Sequence, residues 1–253
     1  MKSLKDASIL ITGGGSGLGR GAAQHFVRRG AKVTICGRRK EKIDAVANEL
    51  GPNCLAVRGD ITIADDRAEI VDAAVGHGNG LFALINNAGN MYRGPLEELQ
   101  EDQLLEIFHS NVIAGMMLSG LAVPHLEKTQ GSILFLGSTH TRRAIPGASP
   151  YAASKAAVQG LSRVLAAELG PKKIRVNCIL PGAVFTEINQ RAGLFDDETA
   201  RKRLEGMSDV HALGRIGTEE EIAEAAEYLL RAQWTTGAIV DVDGGFGLGI
   251  LKA

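Results

Sequence analysis

From residue 7 onward, short runs of β-branched and aliphatic residues alternate with longer amphipathic stretches: "ASILIT" before "GRGAAQHFVRR", then "AKVTIC" before "KEKIDAVANEL". The rhythm continues through "CLAVRG", "FALINN", "SILFLG", "IRVNCIL" and "AIVDV", seven apolar runs in all. Helical stretches are expected between them near residues 65–76, 101–128, 150–169 and 218–231. Gly30 and Gly51 stand where the first two amphipathic stretches should stop. A strand that is apolar throughout, rather than at alternate positions, is buried on both faces. The pattern therefore predicts an α/β chain with a doubly wound, seven-stranded parallel sheet and helices on both faces.

Single α/β domains of about 200–250 residues are common, and no repeat or low-complexity linker interrupts these 253 residues, so 1–253 is read as one domain. One connection breaks the rhythm: residues 183–213 are far longer than an ordinary loop in such a fold and are expected to form a substrate loop or lid. The formal net charge of −1 and the lack of long charge runs give no handle for nucleic acid or a membrane surface, which leaves a small molecule as the expected partner. Cys36, Cys54 and Cys178 are odd in number and each lies in an apolar run, as buried thiols in a reducing compartment do. The apolar run at the N-terminus is too short for a signal sequence, and no 18-residue apolar stretch is expected later, so the chain is read as cytoplasmic. Its six histidines lack metal-ligand spacing, and no metal site is expected.

"LITGGGSGLGRG", residues 10–21, follows the first apolar run and opens the first helical stretch. There bare backbone amides and a helix N-terminus can meet a phosphate. The two-glycine-turn fingerprint fails because Leu18 occupies its last position, and a P-loop fails because Arg20 and Gly21 replace Lys and Ser or Thr. The spacing present is Gly13, Gly17, Gly19. At the end of the second run, Gly37, Arg38 and Arg39 stand where an NAD-selective site carries a carboxylate for the ribose 2′-hydroxyl. Arginine suits a 2′-phosphate, and Ser16 can add a hydroxyl, so NADP(H) is expected in preference to NAD(H).

"YAASK" puts Tyr151 and Lys155 one helical turn apart, where the ammonium can favour the phenolate. Ser138 follows "SILFLG" and should stand at the carboxyl end of that strand, able to donate to a carbonyl oxygen. Acyl hydrolysis is excluded because no G-x-S-x-G elbow is present and His140, two residues on, cannot be presumed to reach back. His140, Ile145, Ala148, Gly182 and the 183–213 segment are the candidates for a mainly apolar substrate pocket. Arg142 and Arg143 read as solvated surface charges.

Taken in order, these pieces resemble the short-chain dehydrogenase/reductases, across roughly residues 7–246. "TGGGSGLG" is similar to that family's TGxxxGxG element, "NNAG" at 86–89 is unchanged, and "PGAVFT" at 181–186 is similar to its PGxxxT. Among its members the chain looks nearest to those like 3-oxoacyl-carrier-protein reductases. The resemblance implies a Rossmann-like fold and a catalytic set Asn111, Ser138, Tyr151 and Lys155, with Tyr151 as general acid/base and Asn111 orienting a water that links Lys155 to solvent. It implies a cofactor set of Gly13, Ser16, Gly17, Leu18, Gly19, Arg38, Arg39, Asp60, Ile61, Asn87, Ala88, Gly89, Tyr151, Lys155, Val184 and Thr186. Asp60 and Ile61 would lie at the adenine, Lys155 at the ribose, and Val184 and Thr186 at the carboxamide. The implied reaction moves hydride between NADP(H) and a carbonyl or secondary-alcohol substrate. A 3-oxoacyl thioester reductase is the alternative, and an NADP-binding regulator without turnover is the alternative of another class. A homotetramer is expected from the resemblance and from the apolar, glycine-rich end "DVDGGFGLGILKA".

Overall fold

The computed structural model describes residues 3–186, 198–199, 202 and 206–249. Much of the expected 183–213 substrate loop lies outside these residues, as does the chain end from 250. Seven strands are present among the described residues: β1 (Ser8–Thr12), β2 (Lys32–Gly37), β3 (Cys54–Arg58), β4 (Ala83–Asn86), β5 (Ser132–Leu136), β6 (Arg175–Pro181) and β7 (Ile239–Val242). Every pairing is parallel and the order is β3-β2-β1-β4-β5-β6-β7. The sequence order reverses between β1 and β4, and a crevice opens there at the carboxyl ends of the strands.

Helices α1 (Gly17–Arg28), α2 (Lys40–Leu50) and α7 (Glu219–Arg231) cover one face. Ile9, Ile11, Phe26, Ile35, Ile43 and Leu230 meet there. Helices α3 (Ala64–Gly78), α5 (Ala114–Thr129) and α6 (Ser149–Leu169) cover the other, over Leu10, Leu84, Ile133, Val176 and Leu180. Adjacent residues of one strand thus enter opposite cores, which is why the strands are apolar throughout. The start of α7 is fixed by a capping box: Thr218 Oγ1 accepts from Glu221 N at 3.3 Å, and the Glu221 carboxylate accepts from Thr218 N at 2.9 Å.

Helices α1 and α7 are also joined by charge. His25 is buried, with Glu220 Oε1 at 2.7 Å from Nδ1 and Glu227 Oε2 at 2.7 Å from Nε2. Arg29 reaches Glu227 at 2.8 Å, and Arg231 reaches it at 2.5 Å.

The expected helix 101–128 is continuous from Glu101 to Thr129 but carries a π turn at His109–Ile113 between α4 (Glu101–Phe108) and α5. One sequence expectation fails here. An 18-residue window of this helix has a mean hydropathy of 1.4, long and apolar enough by length and composition to cross a membrane. The cause is that two sides of α5 are apolar. Ala114, Leu118, Ala122 and Leu126 are buried against the sheet side, while Ile113, Met116, Met117 and Leu121 form an exposed row.

Candidate active site

The glycine loop, the ends of β4 and β5, and the start of α6 surround a cavity of about 1260 Å³. Gly13 has φ of 68°, a left-handed conformation that turns the chain from β1 into α1. Ser16 is the N-cap of α1 but makes no side-chain capping bond, so the first amides of the helix are left to the cavity. Thr12 fastens the loop to β4: its Oγ1 accepts from Asn87 N at 3.0 Å and Ala88 N at 2.9 Å. Asn87 Nδ2 in turn donates to Thr12 O at 2.8 Å.

Gly13, Ser16, Gly17, Leu18, Arg38, Arg39, Asp60, Ile61, Asn87, Ala88, Gly89, Val184 and Thr186 all line this cavity. Gly19 does not. It is buried, and a Cβ there would stand 2.3 Å from Gly13 O, so this glycine lets α1 sit against the loop instead of facing a ligand. Arg38 and Arg39 flank the cavity where β2 ends. Arg38 Nη1 lies 3.7 Å from Asp60 Oδ2, and Arg39 Nη2 donates to Ser16 Oγ at 3.3 Å. Asp60 is itself held by Thr62, whose N and Oγ1 donate to Oδ1 at 3.0 and 2.8 Å.

At the other end stand Ser138, Tyr151 and Lys155, all buried and all lining the cavity. The ammonium of Lys155 lies 5.8 Å from the Tyr151 ring centroid, as the one-turn spacing requires. It donates to Leu136 O at 2.8 Å. Burial pushes Lys155 down to about 8, opposed by the neighbouring Cys178. The expected depression of Tyr151 by Lys155 is not what this geometry gives. Burial raises the phenol, and the opposing influence is a hydrogen bond with Ser138. The lysine is turned to a backbone carbonyl, and the loss of water around the phenol dominates.

Asn111 sits in the π turn, behind the cavity rather than on its wall. Its Oδ1 accepts from Asn90 N at 2.7 Å, and its Nδ2 donates to Asn90 O and Ser154 Oγ, both at 3.0 Å. Gly89 separates it from Lys155: a Cβ there would be 3.0 Å from Asn111 Oδ1 and 3.5 Å from Lys155 Nζ.

Of the pocket candidates, Ile145, Gly182 and His140 line the cavity, whereas Ala148 is buried at the start of α6 and does not. His140 does reach back to Ser138. Its Nδ1 lies 3.1 Å from Ser138 Oγ and its backbone N donates to the same oxygen at 3.3 Å. Ser138 caps the short turn Thr139–Thr141, and that cap folds His140 back over it. The contact does not restore acyl hydrolysis, because no carboxylate orients the imidazole among the described residues. The pocket is also more polar than expected. Asn90, Tyr92, Arg93, Gln103, Glu106, His109 and Ser110 contribute to its wall, along with Met207 and Phe246. Sequence reading passed over the α4 residues because a polar helix face reads as solvated. Arg142 pairs with Asp241 at 3.1 Å, and Arg143 lies 4.8 Å over the Phe246 ring.

This combination of a parallel sheet, a glycine loop at its switch point and a serine–tyrosine–lysine group facing the same cavity defines a class of proteins. Residues 13–247 match the family model described as enoyl-(acyl carrier protein) reductase. The chain belongs to the short-chain dehydrogenase/reductase family and is accordingly an oxidoreductase. It is 34% identical over 246 residues to the L-fucose dehydrogenase of Bos taurus, covering 95% of this chain and 89% of that one. It is 32% identical over 244 residues to the human 3-oxoacyl-[acyl-carrier-protein] reductase, covering 96% and 99%. The crystal structure of a 3-ketoacyl-(acyl-carrier-protein) reductase from Brucella melitensis, complexed with NADH, is similar with a TM-score of 0.89 at 33% identity, over 97% of this chain and 100% of that one.

Proposed function

We propose that the chain is an NADP(H)-dependent oxidoreductase acting between a carbonyl and a secondary alcohol, with Tyr151 as general acid and base. The observation that carries this reading is that one cavity is bounded by the open N-terminus of α1 at one end and by Ser138, Tyr151 and Lys155 at the other. The residues present fit a dinucleotide. The glycine loop offers amides to the phosphates, Asp60 and Ile61 suit the adenine, and Arg38, Arg39 and Ser16 suit a 2′-phosphate. Val184 and Thr186 line the cavity and suit the carboxamide, with Thr186 beside the loop: a Cβ on Gly17 would lie 3.1 Å from its side chain. When bound, the cofactor supplies or takes up the hydride.

Ser138 donates a hydrogen bond to the substrate oxygen, and Tyr151 gives it a proton during reduction or takes one during oxidation. Lys155 places a positive charge beside the phenol and can bind the ribose hydroxyls. Asn111, fixed by four hydrogen bonds, holds the wall at Asn90 from behind. The exposed apolar row on α5, together with half-exposed Val164 on α6, supports a homotetramer.

Turnover is tested by following NADPH consumption with ketones, aldehydes and 3-oxoacyl thioesters. Tyr151→Phe should abolish turnover on the best of them while NADPH still binds, because only the proton-transferring hydroxyl is lost. Near-normal turnover by the phenylalanine variant refutes the acid/base role, and a wild type inert on the whole panel refutes the enzyme reading.

A further inference from the structure

We propose that His140 has two tasks in this site: its Nδ1–H keeps the Ser138 hydroxyl turned outward as a donor, and its Nε2 accepts a hydrogen bond from the substrate. The favoured substrates are then α-hydroxy carbonyl compounds and the vicinal diols they yield on reduction. The inference rests on the carbonyl-reductase reading above and narrows its substrate class.

The proton count at Ser138 carries the first task. A serine hydroxyl has one proton and two acceptor sites. One acceptor site takes the backbone N–H of His140, at 3.3 Å. In the carbonyl-reductase reading the one proton goes to the substrate oxygen, which must lie where it meets both Ser138 and Tyr151. Nδ1 of His140, 3.1 Å from the same Oγ, has to be the donor into the remaining acceptor site. Were Nδ1 the acceptor instead, it would take the one proton that Ser138 needs for a carbonyl.

The second task follows from the tautomer. Burial, reinforced by the positive charge of Arg93, pushes His140 down to about 4, so the ring is neutral at physiological pH. A neutral imidazole protonated at Nδ1 has a bare lone pair at Nε2. His140 lines the cavity, and with Nδ1 taken up by Ser138 its Nε2 is the ring nitrogen left for a ligand there. The ring is held there edge-on to Tyr151, with centroids 5.2 Å apart and planes at 84°.

Ser138 and Tyr151 already serve the reacting oxygen. An acceptor beside them calls for a donor on the next carbon. Glu106 is also in the wall, but the charge that acts on the His140 ring is that of Arg93, so a neutral hydroxyl fits beside Nε2 better than a cationic amine. Asn90, Gln103 and Ser110 in the same wall are neutral groups suited to further hydroxyls.

Two measurements on the full-length protein test this. The ¹⁵N shifts of the His140 ring, assigned by comparison with His140→Leu, report the tautomer without any turnover. A protonated Nδ1 with bare Nε2 is expected, and the reverse tautomer overturns the proposal. Kinetics with NADPH then compare 1-hydroxy-2-hexanone with 3-heptanone, in which a methyl replaces the hydroxyl. The change in their kcat/KM ratio on substitution is the readout, because the intrinsic reactivity of each ketone cancels.

His140→Leu should cut kcat on 3-heptanone and reduce the ratio, each by roughly 10-fold for the loss of one hydrogen bond. KM for NADPH should not move. His140→Asn, whose amide takes the place of Nδ1 but cannot reach the place of Nε2, should recover kcat above the leucine variant without recovering the ratio. A ratio unchanged in both variants, or an asparagine variant no better than leucine in kcat, overturns the proposal. Absence of turnover on every carbonyl sinks the reductase reading and the substrate class with it, and the spectrum alone then decides the Ser138–His140 bond.

Discussion

Replacing Arg38 by aspartate tests the reading of the cofactor most directly. Arg38 is 60% exposed on its side chain and stands 3.7 Å from Asp60, so it is held beside the cavity yet remains in contact with water. A hydrogen bond to a charged group contributes about 1.5–3 kcal/mol, and solvent screening at this exposure favours the lower end. An aspartate about 5 Å from the 2′-phosphate in water-like surroundings adds roughly 1–2 kcal/mol of repulsion. The sum is about 2.5–3.5 kcal/mol, a change in the NADPH-to-NADH ratio of roughly 70- to 400-fold. Arg39, bonded to Ser16, remains and limits the loss. The new aspartate also repels Asp60, but that affects both cofactors alike and cancels in the ratio. The assay is kcat/KM for NADPH and for NADH, in wild type and variant, with one substrate. A wild type that prefers NADH, or a ratio unmoved by the substitution, refutes the assignment of the 2′-phosphate to this corner.

Gly19→Ala should weaken binding of both dinucleotides at least 10-fold and lower Tm, because its methyl would overlap Gly13 O and Asn87 Nδ2; dye-monitored melting with and without NADPH checks this. Carbonyl reduction should fall and alcohol oxidation rise as pH increases, since one needs the Tyr151 phenol and the other its phenolate; pH profiles that run in parallel for both directions would contradict it. Glu227→Gln should destabilise the fold by about 1–2 kcal/mol, because it weakens the bonds to His25 and to the partly exposed Arg29 and Arg231, as urea denaturation at pH 7 will show. The carboxyl of Glu227 is held down at about 2 by His25, Arg231 and Arg29 against the effect of its burial, so its contribution is whole above its ordinary value of 4.5 and vanishes as pH falls through about 2. Light scattering should return a tetramer at micromolar concentration, and Met117→Glu with Leu121→Glu should break it into smaller species; a monomeric wild type removes the quaternary proposal.

The strands were legible because a sheet buried on both faces imposes apolar residues without alternation, and Ile9, Leu10 and Ile11 show this directly: neighbours in sequence, they enter opposite cores. Tyr151 and Lys155 were legible because helical spacing sets their proximity. Where the lysine's proton-bearing end goes was not, since that depends on the Leu136 carbonyl at the end of a different element. Asn111 was visible only through family likeness, because a π turn leaves no mark on a 3.6-residue period. Likewise the approach of His140 to Ser138 depends on a capped three-residue turn, and nothing in the triplet Ser138–His140 dictates that the cap will form. The two apolar sides of α5 were present in the sequence but were missed by a reading that sought one unbroken stretch.

The joining of α1 to α7 bears on how this chain is made. Helix α1 follows the cofactor loop from residue 17, yet the partners that cover its inner face and engage His25, namely Ile222, Ala223, Glu220 and Glu227, come some two hundred residues later. During synthesis the glycine loop cannot acquire its final support until nearly the whole chain has left the ribosome. A nascent chain halted before residue 218 would hold β1 and α1 with an uncovered apolar face, a substrate for chaperones rather than a half-built enzyme.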